Sequence, residues 1–291
     1  MQNIIYKDDK EYPALLKQIK SAPKQLYYKG KWDKDIFKNC LAVVGSRRLT
    51  SYGKRAIEQI VGEVALSGVT IISGFMYGGD AAAHQAAVKA DGRTIAVMPC
   101  GIERIHPEYQ KDLYQEILDN NGLIISEYKG DMQPVLWSYP QRNRIVAGLS
   151  KAILVAEAGL KSGSLITANY SKKFKRKIFA LPGPISSSVS KGTNLLIKQG
   201  VEMVLNSQDV LDFFGEQARL PAEALAKAGG KFGVPTKKPE SKIMQSLQRE
   251  PLTADELSRN LGISASKLGV KLSLMQIQGL VKQEGNKYYV N

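Results

Sequence analysis

Gly45-Ser46-Arg47-Arg48 and Ser162-Gly163-Ser164 are the residue combinations in this sequence best suited to hold an anion. Glycine lets backbone N–H groups come close to a ligand, serine adds a hydroxyl, and arginine offers a planar fork that matches phosphate. Further segments share this character. Ser73-Gly74-Phe75-Met76-Tyr77-Gly78-Gly79-Asp80 is a glycine-rich loop. Arg142-Asn143-Arg144 lies just behind Trp137 and Tyr139. Ser190-Lys191-Gly192-Thr193-Asn194 adds a lysine, and 172–177 (Lys-Lys-Phe-Lys-Arg-Lys) is strongly basic. Aromatic rings beside arginines suit a nucleic-acid single strand, whose bases stack and whose phosphates pair with cations. Each pattern also has a plain structural use. The 45–48 loop serves equally as a tight strand-to-helix turn with solvated arginines. Trp137 and Tyr139 fit a core, and 172–177 fits a solvated helix end.

The same residues argue against a catalyst. Neither G-x-G-x-x-G nor G-x-x-x-x-G-K-[ST] occurs, so neither a dinucleotide fingerprint nor a P-loop is present. Asp80 reads as a helix N-cap before it reads as an acid. Ser164 as a nucleophile needs a base within reach, and His84 and His106 are the only histidines. Cys40 and Cys100 stand beside apolar runs with no C-x-x-C, which argues against a tetrahedral metal site and fits a reducing compartment. No enzyme activity, cofactor or metal is expected.

The elements that must position these loops are legible as alternating apolar runs and amphipathic stretches. Strands are predicted at 41–44, 69–72, 94–98, 123–126, 152–156 and 177–181. Helices are predicted at 51–66, 80–90, 108–120, 142–149, 164–174 and 194–199. The strand runs do not alternate with polar residues, as parallel strands covered on both faces require. The expected fold class is therefore α/β, a doubly wound, mostly parallel, Rossmann-like sheet. Such sheets bind ligands at the carboxyl ends of their strands, where these loops fall.

Residues 1–40 read as an N-terminal extension packed on the α/β domain, with a short helix and an extended segment. The domain proper spans 41–216. Residues 217–239, rich in proline, glycine and lysine, read as a linker. Residues 240–291 read as a winged helix-turn-helix: helices at 242–248, from Thr253 and near 266–278, then a hairpin turning at Gly285-Asn286. Thr253 and Glu256 have capping-box spacing.

Charge points to the partner. Forty-one basic residues against twenty-seven acidic ones give a formal +14, an excess that favours a polyanion or an anionic membrane surface. No stretch is long enough to span a bilayer, and the first residues lack a signal-peptide core, so a cytoplasmic protein is expected.

Taken in order, these motifs carry a resemblance. Gly45-Ser46-Arg47 with Tyr52-Gly53, Ser73-Gly74 with Gly78, and 142–150 (Arg-Asn-Arg-Ile-Val-Ala-Gly-Leu-Ser) come first. Then come 162–168 (Ser-Gly-Ser-Leu-Ile-Thr-Ala), Leu181-Pro182-Gly183 and 192–197 (Gly-Thr-Asn-Leu-Leu-Ile). In order and spacing over 12–212 they resemble the DprA/Smf family, and the C-terminal unit resembles its winged-helix domain. The resemblance implies an extended Rossmann-like fold, a homodimer and binding of single-stranded DNA in a basic pocket. It further implies protection of incoming DNA and its delivery to the RecA recombinase in natural transformation. Carried over residue by residue, Arg47 grips phosphate beside Ser46, Ser73 and Gly74. Arg142, Asn143 and Arg144 shape the pocket wall, and Ser162-Gly163-Ser164 supply donors. Gly45, Gly78, Thr167, Lys191 and Asn194 complete the candidate set. Two rivals stand. One is a nucleotide phosphoribohydrolase-like enzyme, whose P-G-G-x-G-T loop is broken here by Pro182-Gly183-Pro184. The other is a duplex-DNA regulator, although the third helix offers Lys267 and Lys271 and no arginine to read guanine.

Overall fold

The computed structural model describes residues 3–215, 243–244, 246–247, 250–277 and 280–290. The chain falls into two compact units, Met1–Leu225 and Ala226–Asn291. The expected 217–239 linker lies outside the described residues.

The first unit is built on one nine-stranded sheet. Its strands are β1 (Asn3–Tyr6), β2 (Gln25–Gly30), β3 (Cys40–Val44), β4 (Thr70–Ser73) and β5 (Thr94–Gly101). They continue with β6 (Leu123–Tyr128), β7 (Ala152–Val155), β8 (Lys177–Ala180) and β9 (Glu202–Met203). The spatial order is β1-β2-β6-β5-β4-β3-β7-β8-β9. Strands β6 through β9 in that order pair in parallel, whereas β1 and β2 add antiparallel to the β6 edge.

The helices are α1 (Ala14–Lys17), α2 (Ser51–Leu66), α3 (Gly79–Lys89), α4 (Lys111–Asp119), α5 (Ser138–Leu149), α6 (Gly163–Lys173), α7 (Lys191–Lys198) and α8 (Ser207–Phe214). Three differ in extent from the pattern-based expectation, α7 by starting at Lys191 rather than 194, and α8 was not expected. Helix α5 starts four residues earlier, before Pro140, because proline in a first turn needs no amide partner. The 108–120 stretch splits into a short 3-10 turn, Glu108–Gln110, and α4.

Residues 1–40 are also more than a packed extension, since two of their segments are strands of the sheet itself. The central strands are buried along their whole length: all five residues of β3 and all eight of β5. One face packs Ala42, Ile72 and Val97 under Ile145, Leu149 and Ala168. The other packs Ala96, Met98 and Ile124 under Phe75, Leu113 and Ile117. Burial on both faces removes the period-2 signal, which is why these strands read as unbroken apolar runs.

From β3 the chain winds one way through β4, β5 and β6; from β7 it winds the other way through β8 and β9. The direction reverses between β3 and β7, which leaves a crevice beyond their carboxyl ends. Among the described residues no helix is long and apolar enough to cross a membrane.

The second unit contains β10 (Leu252–Thr253), α9 (Ala254–Leu261), α10 (Ala265–Ile277), β11 (Val281–Glu284) and β12 (Lys287–Val290). The capping box forms: Thr253 N–H donates to Glu256 Oε2 at 2.8 Å, and Glu256 N–H to Thr253 Oγ1 at 3.3 Å. Gly262 ends α9 in the left-handed region at φ 62°. The hairpin turns where expected, and β10 adds a third strand against β12 that the pattern did not suggest. Of the helix expected at 242–248, residues 243–244 and 246–247 are helical and the others lie outside the described residues. Ile243, Leu247, Leu257, Leu268, Leu272 and Met275 share a core.

Candidate nucleic-acid interface

A cleft of about 960 Å³ opens beyond the carboxyl ends of β3 and β7. Ten of the residues singled out from the sequence line it: Gly45, Ser46, Arg47, Gly74, Arg142, Asn143, Ser162, Gly163, Ser164 and Thr167.

Its first wall is the loop after β3. Gly45 and Gly78 were expected to bring backbone close to a ligand, and here they bring two loops together instead. A Cβ on Gly45 would lie 2.9 Å from Gly79 Cα, and Gly79 N–H donates to the Ser46 carbonyl at 3.0 Å. Gly78 has φ 81°, and a side chain there would meet the Ser46 carbonyl. The clamp presents Arg47 to solvent. Its guanidinium carbon sits 5.5 Å from the Tyr77 ring centre and 5.4 Å from that of Tyr139. Among the described residues no carboxylate lies within ion-pairing distance of Arg47. The cation is held by two π faces and keeps its hydrogen-bond donors for something else. Tyr139 is fixed in turn by a 2.8 Å hydrogen bond between its hydroxyl and His106 Nε2.

The second wall is the start of α6. Ser162 caps that helix, its Oγ accepting from Ser164 N–H at 3.3 Å. Gly163 faces open space, and Lys161 and Ser188 stand beside it. Helix-start amides, hydroxyls and a lysine make a positive-ended wall opposite Arg47. Buried Glu157 ties the two walls together, accepting from Thr50 N–H at 2.9 Å and from the Thr50 hydroxyl at 2.5 Å.

The floor is Arg142, which lines the cleft from below. It is 3% exposed. Nη1 donates to the carbonyls of Gly74 and Val97, and Nε to Asn143 Oδ1 at 3.2 Å. A Cβ on Gly74 would lie 2.5 Å from this guanidinium, so that glycine makes room for a side chain. Burial pulls the Arg142 pKa down to about 10, opposed by the nearby Asp80 carboxylate, so it stays charged at neutral pH. It buttresses the cleft from below with Nε and Nη1 already engaged.

Five candidates lie off the cleft lining. Ser73 is buried with its hydroxyl donating to the Val43 carbonyl at 2.6 Å, a stitch between neighbouring strands. Gly78 belongs to the loop clamp. Arg144 is buried and pairs with Glu127 at 2.6 Å. Asn194 closes the 183 turn, exchanging two hydrogen bonds with the Gly183 backbone. Lys191 opens α7 and stands exposed. In the basic run, Arg176 is no solvated helix end: Nη2 donates to the Leu15 carbonyl at 2.9 Å and to that of Gly148 at 3.3 Å. Lys172, Lys173 and Lys175 remain exposed. Sequence reasoning passed over Arg48, Tyr77, Lys161 and Ser188 as site residues. Tyr77 had a usable signal, a ring inside a glycine-rich loop that follows a strand.

Both histidines are engaged away from Ser164. His84 is fully buried, its Nδ1 2.7 Å from Thr94 Oγ1. Burial, helped by the Arg142 charge, drives its pKa from 6.5 to about 3. The unfolded chain therefore takes up a proton below pH 6.5 that the folded chain refuses down to about 3. Stability is full above 6.5 and falls as the pH falls. At pH 5 this loss reaches roughly 2 kcal/mol relative to pH 7. Urea midpoints at the two pH values read it, and His84→Gln should remove that share of the difference. An unchanged difference in the variant would assign the acid sensitivity elsewhere.

Comparison with known proteins agrees with this geometry. The family model for DNA recombination-mediator protein A matches residues 3–215, and that for the DprA winged helix domain matches 233–287. Protein Smf of Synechocystis is 35% identical over 97% of this chain and 78% of its own length. DNA processing protein DprA of Streptococcus pneumoniae is 40% identical over 70% of this chain and 71% of its own. The X-ray structure of that pneumococcal protein superposes with a TM-score of 0.68, at 38% identity, over 72% of this chain and 74% of the other. DNA processing protein A from Helicobacter pylori, whose structure describes a single-stranded DNA binding mode, gives 0.66 at 31% identity, over 75% and 98%. With its nine-stranded sheet, its cleft at the strand-order reversal and its winged-helix unit, this chain belongs to the DNA recombination-mediator protein A family.

Proposed function

We propose that the chain binds single-stranded DNA across the cleft, protects the strand and delivers it to the RecA recombinase in natural transformation, without chemistry of its own. The observation that carries this is Arg47, an exposed cation held between two tyrosine rings with no ion pair among the described residues. A phosphate satisfies the guanidinium, and the rings suit bases whose faces are free, which duplex bases are not. Donors on two facing walls suit several phosphates better than one. The Helicobacter pylori relative, described with single-stranded DNA, supports the same reading. The family's description as a recombination mediator supports the delivery step. Exposed Met203 and Leu205, at the β9 edge, are apolar surface suited to a second copy, in keeping with a homodimer.

The duplex-regulator reading fares worse. Among the described side chains of α10 the exposed ones are Gly269, Val270, Ser273, Leu274 and Gln276, Lys271 is half-buried, and none is an arginine able to grip guanine with two prongs.

Fluorescence anisotropy with a labelled oligonucleotide tests the proposal. Single strands of mixed sequence should bind more tightly than duplex. Log affinity should fall linearly with log salt, by about 0.7 per phosphate contacted. Tighter duplex binding by residues 1–225 would sink the proposal. The delivery step predicts that RecA assembles sooner on strands carrying the protein, read by RecA's strand-dependent ATP turnover.

A further inference from the structure

The cleft does not end at Tyr139. Leu136, at its mouth, is 92% exposed, and Trp137 beside it is 55% exposed. An indole is costly to leave in water, and single exposed aliphatic residues are commonplace, but two large apolar side chains adjoining a charged cleft form a patch. Trp137 is also held in place. It occupies the N-cap position of α5, whose next turn carries Tyr139, Arg142 and Asn143 into the cleft. Its ring meets that of Tyr128 at 5.9 Å and 80°, an edge-to-face contact that steadies the indole and still leaves more than half of it exposed. Residues two apart on a helix do not face each other, so Trp137 offers a surface distinct from that of Tyr139. Directly after Tyr128 comes Lys129, exposed and without an ion pair among the described residues.

A flat, pre-oriented ring at the cleft mouth offers a face for a base, and exposed Lys129, one residue past the ring's partner Tyr128, is a cation on the same stretch of chain that a neighbouring phosphate can use. We infer that the strand leaving the cleft passes over Leu136 and stacks one base on Trp137, with a neighbouring phosphate against Lys129. This inference rests on the single-strand reading of the cleft and extends it by one subsite outside the cavity. Because every base has a π face, the subsite adds affinity without sequence preference.

The chain has two tryptophans, Trp32 and Trp137. Trp32 packs between Tyr28 and Phe37, at 4.7 and 5.0 Å, where phenylalanine is a fair replacement. Trp32→Phe in the full chain therefore leaves Trp137 as the sole indole reporter. Titration with a mixed-sequence oligonucleotide should quench its emission, with the same midpoint as the anisotropy of a labelled copy. At saturation, a wholly abasic strand should not quench it. Trp137→Ala should weaken binding of a long oligonucleotide about five- to tenfold and leave that of a trinucleotide nearly unchanged. Trp137→Phe should keep most of the affinity. Bound strand with unaltered Trp137 emission, or equal quenching by the abasic strand, would overturn the subsite while leaving the cleft reading intact. No anisotropy change with any strand would overturn both.

Discussion

Arg47→Ala should weaken single-strand binding about tenfold to a hundredfold and leave the fold intact. The range follows from the contact the side chain is free to make. A hydrogen bond to a charged group is worth roughly 1.5–3 kcal/mol, and each 1.4 kcal/mol is a factor of ten. Before DNA arrives, the guanidinium lies against the Tyr77 and Tyr139 rings, each worth about 0.5–1 kcal/mol at an exposed site, and attracts Asp80 without an ion pair to it. Removing it should lower the melting temperature by no more than several degrees, because Arg47 is exposed and spans no elements of the core. The loss should be the same for every base sequence, since phosphate contacts carry no base code. Arg47→Lys should recover only part of it, because an ammonium keeps the charge and loses the two-pronged geometry. Lys173→Ala, in the exposed part of the basic run, is the control and should cost far less. Binding by Arg47→Ala equal to the parent at low and moderate salt would place the interface elsewhere.

Arg47, Arg142, Arg144 and Arg176 look alike in the sequence. Each stands at or near a helix end in a polar stretch, and nothing local separates a phosphate ligand from a buttress. The distinction comes from distant chain. Arg142 spends Nη1 on carbonyls 68 and 45 residues away, at Gly74 and Val97. Arg144 is paired with Glu127, and Arg176 donates to the Leu15 carbonyl. The parallel core was legible because full burial writes itself as unbroken apolar runs at 41–44, 94–98 and 152–156. Strands β1 and β2 were not, because they lie at the sheet edge with mixed burial and carry neither a clean alternation nor a solid run. Strands β9 and β10 have two residues each, too few to show any period. The loops were correctly located at strand ends. Their glycines were less transparent, because close approach to another loop and close approach to a ligand leave the same mark in the sequence.

Arg142 separates the two meanings of an arginine most sharply. If it held DNA, Arg142→Met would fold normally and bind poorly. As the floor of the cleft, it should instead cost about 3–5 kcal/mol of stability, the usual penalty for removing one partner of a buried charge network. The Gly74 and Val97 carbonyls would lose their donor, and half-buried Asp80 would lose the positive charge that acts on it most strongly. Burial already raises the Asp80 pKa, and Arg142 is the largest influence holding it down. With Arg142 gone that pKa should climb further above its unfolded value. A carboxyl whose folded pKa is raised favours the folded state at low pH and loses that contribution as the pH rises. Measured against the parent at each pH, Arg142→Met should therefore be more damaging at pH 7 than at pH 5. Asp80→Asn removes the stranded charge, so the double variant should be more stable than the sum of the two single losses. Urea midpoints for the four proteins at both pH values close the cycle. Strict additivity, with no pH dependence, would mean that Asp80 and Arg142 do not act as a pair and that the floor is held by the two carbonyl hydrogen bonds alone.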